Sequence, residues 1–224
     1  MGADHPRSEL SERSPRVIRT HRYVRPPISL ILAIGGALLF LLVASTIDGD
    51  SATDLEESVF RALNDLPGFL AYPIWPFMQV GNLLVIPLGA LVAAAVREFR
   101  LAAALLIAGG AKLQLSKAIK DQVTRHRPAV FLDDVDVRLG SAGAGLGFVS
   151  GHAVIAVAVG VLVHPYLRSR AWRIALWTAV FLVLAGRVYV GAHMPLDVIA
   201  GGAVGLAIGG LLNVALGTPV TGQR

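Results

Sequence analysis

Six long apolar stretches alternate with polar segments along the chain, at about 28–47, 74–96, 101–119, 150–167, 172–189 and 195–216. Most run for about 20 residues, the length that crosses a hydrocarbon core of roughly 30 Å. The first is too long for a signal-peptide core and has no convincing cleavage site, so it reads as an uncleaved span. The second has Trp75 at its mouth and Pro87 inside. Residues 48–66 break the pattern: they are acidic, Thr53 and Glu56 have capping-box spacing, and Leu55, Val59, Leu63 and Leu66 recur at helical intervals. This predicts a short amphipathic helix, lying in the membrane interface or docked as a surface helix. The expected fold is all-α: a polytopic membrane protein, a six-transmembrane-helix bundle with a short interfacial helix between spans one and two. Residues 1–26 read as a disordered basic tail, 27–217 as the six-span domain and 218–224 as a second short tail. No internal repeat is present.

Composition supports the membrane reading. Hydrophobic residues make up 54% of 224, and the mean hydropathy is +0.64, above the usual range of soluble domains. There is no cysteine, hence no disulfide and no thiolate metal site. The formal charge of +5 would suggest nucleic acid until the charges are located. The only lysines, Lys112, Lys117 and Lys120, share one short window, and most arginines flank apolar runs. That is an orientation signal and excludes a nucleic-acid face. Arginines crowd the N-terminal tail, the 97–100 turn (Arg97, Arg100), the 168–173 turn (Arg168, Arg170, Arg173) and Arg224. With six spans these all fall on one side, expected to be cytoplasmic, along with both termini. Residues 48–72, 120–147 and 190–194 are then expected to meet at the opposite face.

Three polar clusters belong to that face. Lys120 and Arg127-Pro128 could both reach one small anion if the third span ends between them; the alternative is a solvated basic loop. Ser150-Gly151-His152 follows the glycine-rich run GSAGAGLG. A helix starting there would offer free amides and a partial positive charge, with close approach at Gly151; the alternative is a flexible loop with a capping serine. No Gly-Lys-Ser/Thr follows, so the glycines are not a Walker loop. The third cluster is Arg187, His193 and Asp197. On a helix, His193 and Asp197 share a face, and a carboxylate-held histidine has the fixed tautomer that a nucleophile or base needs. The alternative is a pair that only caps the last helix, whose first turn suits Pro195. Together the clusters bring cations, a helix N-terminus, two histidines and a carboxylate, the inventory of phosphoryl transfer. Lys112, Ser116 and Lys120 fall on one helical face, so Lys112 either supports the site from below or snorkels outward.

The combined spacing, Lys-x6-Arg-Pro, Ser-Gly-His and Arg-x5-His-x3-Asp, resembles the three-part signature of the type 2 phosphatidic acid phosphatases, the membrane branch of the superfamily that includes bacterial acid phosphatases and vanadium haloperoxidases. The resemblance covers about residues 70–212. It implies His193 as a nucleophile forming a phosphohistidine, Asp197 orienting it, and His152 as general acid. It implies phosphoryl binding by Lys120, Arg127, Arg187, Ser150 and the Gly151 amide. Val149 stands where the family has proline, and Gly186 where it has serine; these changes are expected to loosen the fourth helix's start and to remove one hydroxyl.

The expected function is hydrolysis of a membrane lipid phosphate or pyrophosphate (polyprenyl pyrophosphate, phosphatidylglycerol phosphate or phosphatidic acid type) at the outer face of a bacterial plasma membrane. No cofactor and no metal are expected. The partners are the lipid substrate and the phospholipid bilayer, with no nucleic acid. A lipid phosphotransferase with the same site is the nearest rival. An anion transporter is another, disfavoured because no span is broken in a repeated pattern. The acidic loop at Asp133, Asp134 and Asp136 reads as solvated, with headgroup selection as the second option. Sequence leaves the lipid and the oligomeric state open.

Overall fold

The computed structural model describes residues 22–220. Of the expected tails, 1–26 and 218–224, residues 1–21 and 221–224 lie outside the described residues, while the rest includes a short strand pair where a disordered tail was expected. The helices are α1 (Pro27–Ala44), α2 (Asp54–Asn64), α3 (Ala71–Met78), α4 (Val85–Ala95), α5 (Phe99–Gln122), α6 (Pro128–Phe131), α7 (Gly151–Val163), α8 (Arg170–Tyr189) and α9 (Pro195–Leu216). A two-residue strand pair, β1 (Tyr23–Val24) and β2 (Thr218–Pro219), joins the two ends of this body in antiparallel register. The regular structure of the described residues is thus nearly all helical. By length and composition α1, α5, α8 and α9 are apolar enough to cross a membrane.

The second apolar run departs from expectation. In place of one span over 74–96, Gly68–Gly81 and Val85–Ala95 meet at a bend of 66°, and only as a bent pair do they count as a fifth span. Asn82 takes an extended conformation at the break, and its side-chain oxygen accepts the Leu84 N–H at 3.0 Å. A local side-chain acceptor of this kind competes with the helical ladder. The fourth run is short as well: α7 has 13 residues, extended to Tyr166 by a 3-10 turn. At 1.5 Å per residue it is about 20 Å long. Ala153 to Leu162 are all buried, so α7 is the bundle's central helix, apolar all round because neighbours surround it.

Small residues let α9 press against two partners. A Cβ at Gly201 would sit 2.5 Å from the Ser150 carbonyl oxygen, and one at Gly205 2.7 Å from that of Val154. These two glycines seat α9 on α7. On α9's other side, Cβ atoms at Gly210 and Gly36 would lie 2.6 Å from the backbones of Ala33 and Ala203, so α1 lies along α9 in backbone contact. Close approach through small residues gives dispersion contacts that bulkier side chains would forfeit. Leucines and isoleucines of α1 such as Leu30, Ile31, Leu38 and Leu42 point outward, as suits a lipid-facing helix.

The two ends of the bundle differ. At one, Arg100 stacks 4.1 Å over the Tyr23 ring and donates to the Leu216 carbonyl, clasping the 97–100 turn to the strand pair. At the other, residues 48–67, 123–149 and 187–197 knit into a polar cap. Arg61 donates to the carbonyls of Asp133 and Asp134, and Asn64 to those of Asp136 and Tyr189. The loop at Asp133–Asp136 is docked through its backbone onto α2, while Asp133, Asp134 and Asp136 are exposed, as expected of a solvated acidic loop. Thr53 caps α2 by accepting the Glu56 N–H at 3.2 Å. The buried face of α2 is Glu56, Phe60 and Asn64, while Leu55 and Val59 are exposed.

Candidate functional site

The cap brings together every residue that the three clusters nominate. Helix α5 ends at Gln122, so Lys120 lies in its last turn and Arg127 follows in an extended segment. Helix α7 opens at Gly151 with Ser150 as N-cap and His152 in the first turn. Its first amides have no acceptor within the helix. Arg187 is in the last turn of α8, which a short turn joins to α9. Gly191 in that turn has φ of +69°, and a Cβ there would meet the Asp136 carbonyl oxygen at 2.7 Å, so only glycine fits. His193 ends the turn, Pro195 takes the first position of α9, and Asp197 follows one turn on.

Each of the three cations is held by a main-chain carbonyl. Lys120 Nζ donates to Leu146 O at 2.6 Å, Arg127 Nη1 to Ala192 O at 2.9 Å, and Arg187 Nη1 to Gly140 O at 2.8 Å. A carbonyl dipole orients a cation without cancelling its charge, as a carboxylate would. The Nε groups of Arg127 and Arg187 and the hydroxyl of Ser150 are buried without a hydrogen-bond partner. Buried donors of this sort call for an acceptor. Burial first, then the charges of Arg187, Arg127 and Lys120, hold His193 well below the usual histidine range. Burial likewise lowers Arg127, with Asp197 opposing it.

His193 and Asp197 face each other, although His193 precedes the helix that carries Asp197. Nδ1 of His193 lies 3.9 Å from Oδ2 of Asp197, an ion-pair distance too long for a hydrogen bond, and Nδ1 has no other partner. Oδ2 accepts the Met194 N–H at 2.9 Å, which fixes the carboxylate against the turn. The Ser150 N–H donates to the Asp197 carbonyl at 3.0 Å, tying the start of α7 to α9. That bond and the full burial of Val149 hold the start of α7 in place. Gly186 faces α3: a Cβ there would lie 3.0 Å from Ile74, so a serine at this position would meet packing.

Lys112 reaches the site. A Cβ on Gly151 would lie 2.9 Å from Lys112 Cε and 3.1 Å from Nζ, so the ammonium rests on the opening turn of α7. Arg187, Lys112 and Arg127 are all near enough to act electrostatically on His152. Gly81, at the bend of the second apolar run, sits against His152, where a Cβ would be 2.9 Å from the histidine's own. Among the described residues no three His, Asp or Glu side chains gather as a metal-holding group.

Two residues were missed by sequence reasoning. Arg125, fully buried, donates to both oxygens of Glu56 at 3.1 and 2.7 Å and to Asp197 Oδ1 at 3.3 Å. Glu56 Oε1 also accepts the Leu196 N–H at 3.0 Å. The signal that could have found the pair is an arginine and a glutamate placed in segments already expected to meet.

Comparison with known proteins gives a family and a fold. The model of the PAP2 superfamily matches residues 97–218. A lipid A 4'-phosphatase from Porphyromonas gingivalis is 34% identical over 100 residues, covering 43% of this chain and 42% of that protein, so the match spans less than half of that relative's length. The crystal structure of Aquifex aeolicus LpxE superposes with a TM-score of 0.66 at 22% identity, over 74% of this chain and 98% of that one. A transmembrane PAP2 type phosphatidylglycerolphosphate phosphatase from Bacillus subtilis does so with a TM-score of 0.63 at 22% identity, over 81% and 94%.

Proposed function

The chain belongs to the PAP2 superfamily, and on that footing we propose that it is an integral membrane lipid phosphatase acting through a phosphohistidine. The observation that carries the proposal is the ring of carbonyl-held cations, Lys120, Arg127 and Arg187, around His193 and the open end of α7. The phosphoryl group sits among these cations, the Ser150 hydroxyl and the first amides of α7. Nδ1 of His193 faces Asp197, which leaves Nε2 to attack phosphorus. The bond to the leaving oxygen breaks as the N–P bond forms, and His152 gives that oxygen its proton. Water then attacks the phosphohistidine, giving up a proton to His152, and releases inorganic phosphate. Donors placed where charge develops are the largest contribution in such sites. Lys112 adds a fourth cation at the opening of α7.

The proposed arrangement in the membrane has six passes: α1, the bent α3–α4 pair, α5, α7 with its 3-10 extension, α8 and α9. Helix α2 lies in the cap at the outer face, and the Leu55–Val59 side is presented to lipid headgroups. The substrate is a phosphate or pyrophosphate ester of a membrane lipid. The relatives' names point to lipid A and phosphatidylglycerol phosphate as the first two to assay.

The test separates the two histidines. A lipid alkoxide leaves poorly unless protonated, while a nitrophenolate leaves unaided. His152→Ala should lose about 10²–10⁴-fold on a lipid monoester and far less on 4-nitrophenyl phosphate. It should still trap labelled phosphate on His193. His193→Ala should be inactive on both and trap nothing. Label on His152, or turnover of the aryl ester by His193→Ala, would reverse the two roles.

A further inference from the structure

Glu56 and Arg125 are buried charges with no part in the scheme above. Glu56 comes from α2, which precedes the segment matched by the family model, and Arg125 from the connection between α5 and α7. Their contact spans 69 residues of sequence. Helix α2 has other means of docking: Phe60 is fully buried, Asn64 binds two carbonyls, and Arg61 binds two more. A buried ion cluster is weak as a source of stability, because desolvation offsets its attraction. Docking α2 does not require a charge at position 56.

The charges make sense when counted at Asp197. Paired with Arg125 alone, Asp197 would be cancelled and offer little to a histidine turning cationic. With Glu56 bound to the same guanidinium, the three groups carry one net negative charge. The directions fit this division. Arg125 turns both nitrogens to Glu56 and one, more loosely, to Asp197 Oδ1, leaving Oδ2 toward His193. Oε1 of Glu56 also holds the Leu196 N–H, the amide just before Asp197.

We propose that Glu56 and Arg125 are positioning residues for the phosphoryl-transfer step, fixing Asp197 and preserving its negative charge for His193 as the N–P bond forms. The proposal rests on the phosphatase reading and extends it to a helix outside the matched segment. Glu56→Gln keeps the shape and one acceptor but removes the charge. For the full chain in detergent, acting on 4-nitrophenyl phosphate, kcat should fall about 10–100-fold, the usual loss for a supporting-shell partner, with KM within about threefold. In an Asp197→Asn background the same change should cost less than about threefold, since residues acting as a unit are not additive. Glu56→Asp, which restores charge on a shorter stem, should recover part of kcat, and it carries the same background comparison if Glu56→Gln does not fold. An equal loss in both backgrounds, a rise in KM with kcat intact, or no loss at all would overturn the proposal. Wild-type protein inactive on both aryl and lipid phosphates would sink the phosphatase reading and this one together. An active wild type with an indifferent Glu56→Gln would sink this one alone.

Discussion

Lys120, Arg127 and Arg187 each lean on a peptide carbonyl, so their charge remains available and bears on His193. That fixes a pH dependence. His193 titrates below its ordinary 6.5, from burial first and the three cations second. Between 6.5 and its folded value the unfolded chain binds the proton and the folded chain does not. The stability present above pH 6.5 is therefore lost as pH falls through that window. His193, the proposed nucleophile, also stays neutral there, so the acid limb of kcat/KM should lie below pH 6.5; a limb at or above it would contradict the assigned surroundings of His193. The residues proposed to do chemistry were legible because the proposed reaction dictates both type and spacing within short stretches. Glu56 and Arg125 were not, because nothing local marks a contact across 69 residues.

At the scale of the helices, periodicity located most elements. The spacing of Leu55, Val59, Leu63 and Leu66 marks α2 as a helix, yet the side turned inward is Glu56, Phe60 and Asn64. Burial there is decided by polar partners in distant loops, which a hydrophobic stripe does not encode. The bend between α3 and α4 escaped notice for a similar reason, since Asn82 looks ordinary inside an apolar run. The glycines of α9 offer a paired test. A Cβ at Gly201 would press on the Ser150 carbonyl at 2.5 Å, whereas one at Gly202 would make an ordinary contact with Val157 at 3.6 Å. Gly201→Ala should cost about 1–3 kcal/mol of stability and also turnover, by displacing Ser150 and His152. Gly202→Ala should be close to neutral in both. Thermal unfolding and turnover of the two variants check this, and equal behaviour would count against close α7–α9 contact at Ser150.

For the whole molecule, the arginine asymmetry and the two unlike ends of the bundle are the basis of the proposed orientation, with the polar cap outside. A cysteine replacing exposed Ala142, in a chain with no other cysteine, should react with an impermeant thiol reagent in intact cells. Labelling only after permeabilisation would turn the protein over. The grip of α1 and α2 on this body has a consequence for what counts as its unit. The family-model match begins at residue 97, but the physical object does not. Helix α1 fills a groove on α9 that is lined by backbone, and α2 sends a carboxylate to the arginine beside Asp197. Excising residues 97–218 would strip lipid-facing cover from α9 and strand Arg125 in the interior without its bidentate partner. The matched portion holds the candidate site residues. The helices before it brace them, so a cut at residue 97 would pass through the body that carries the site.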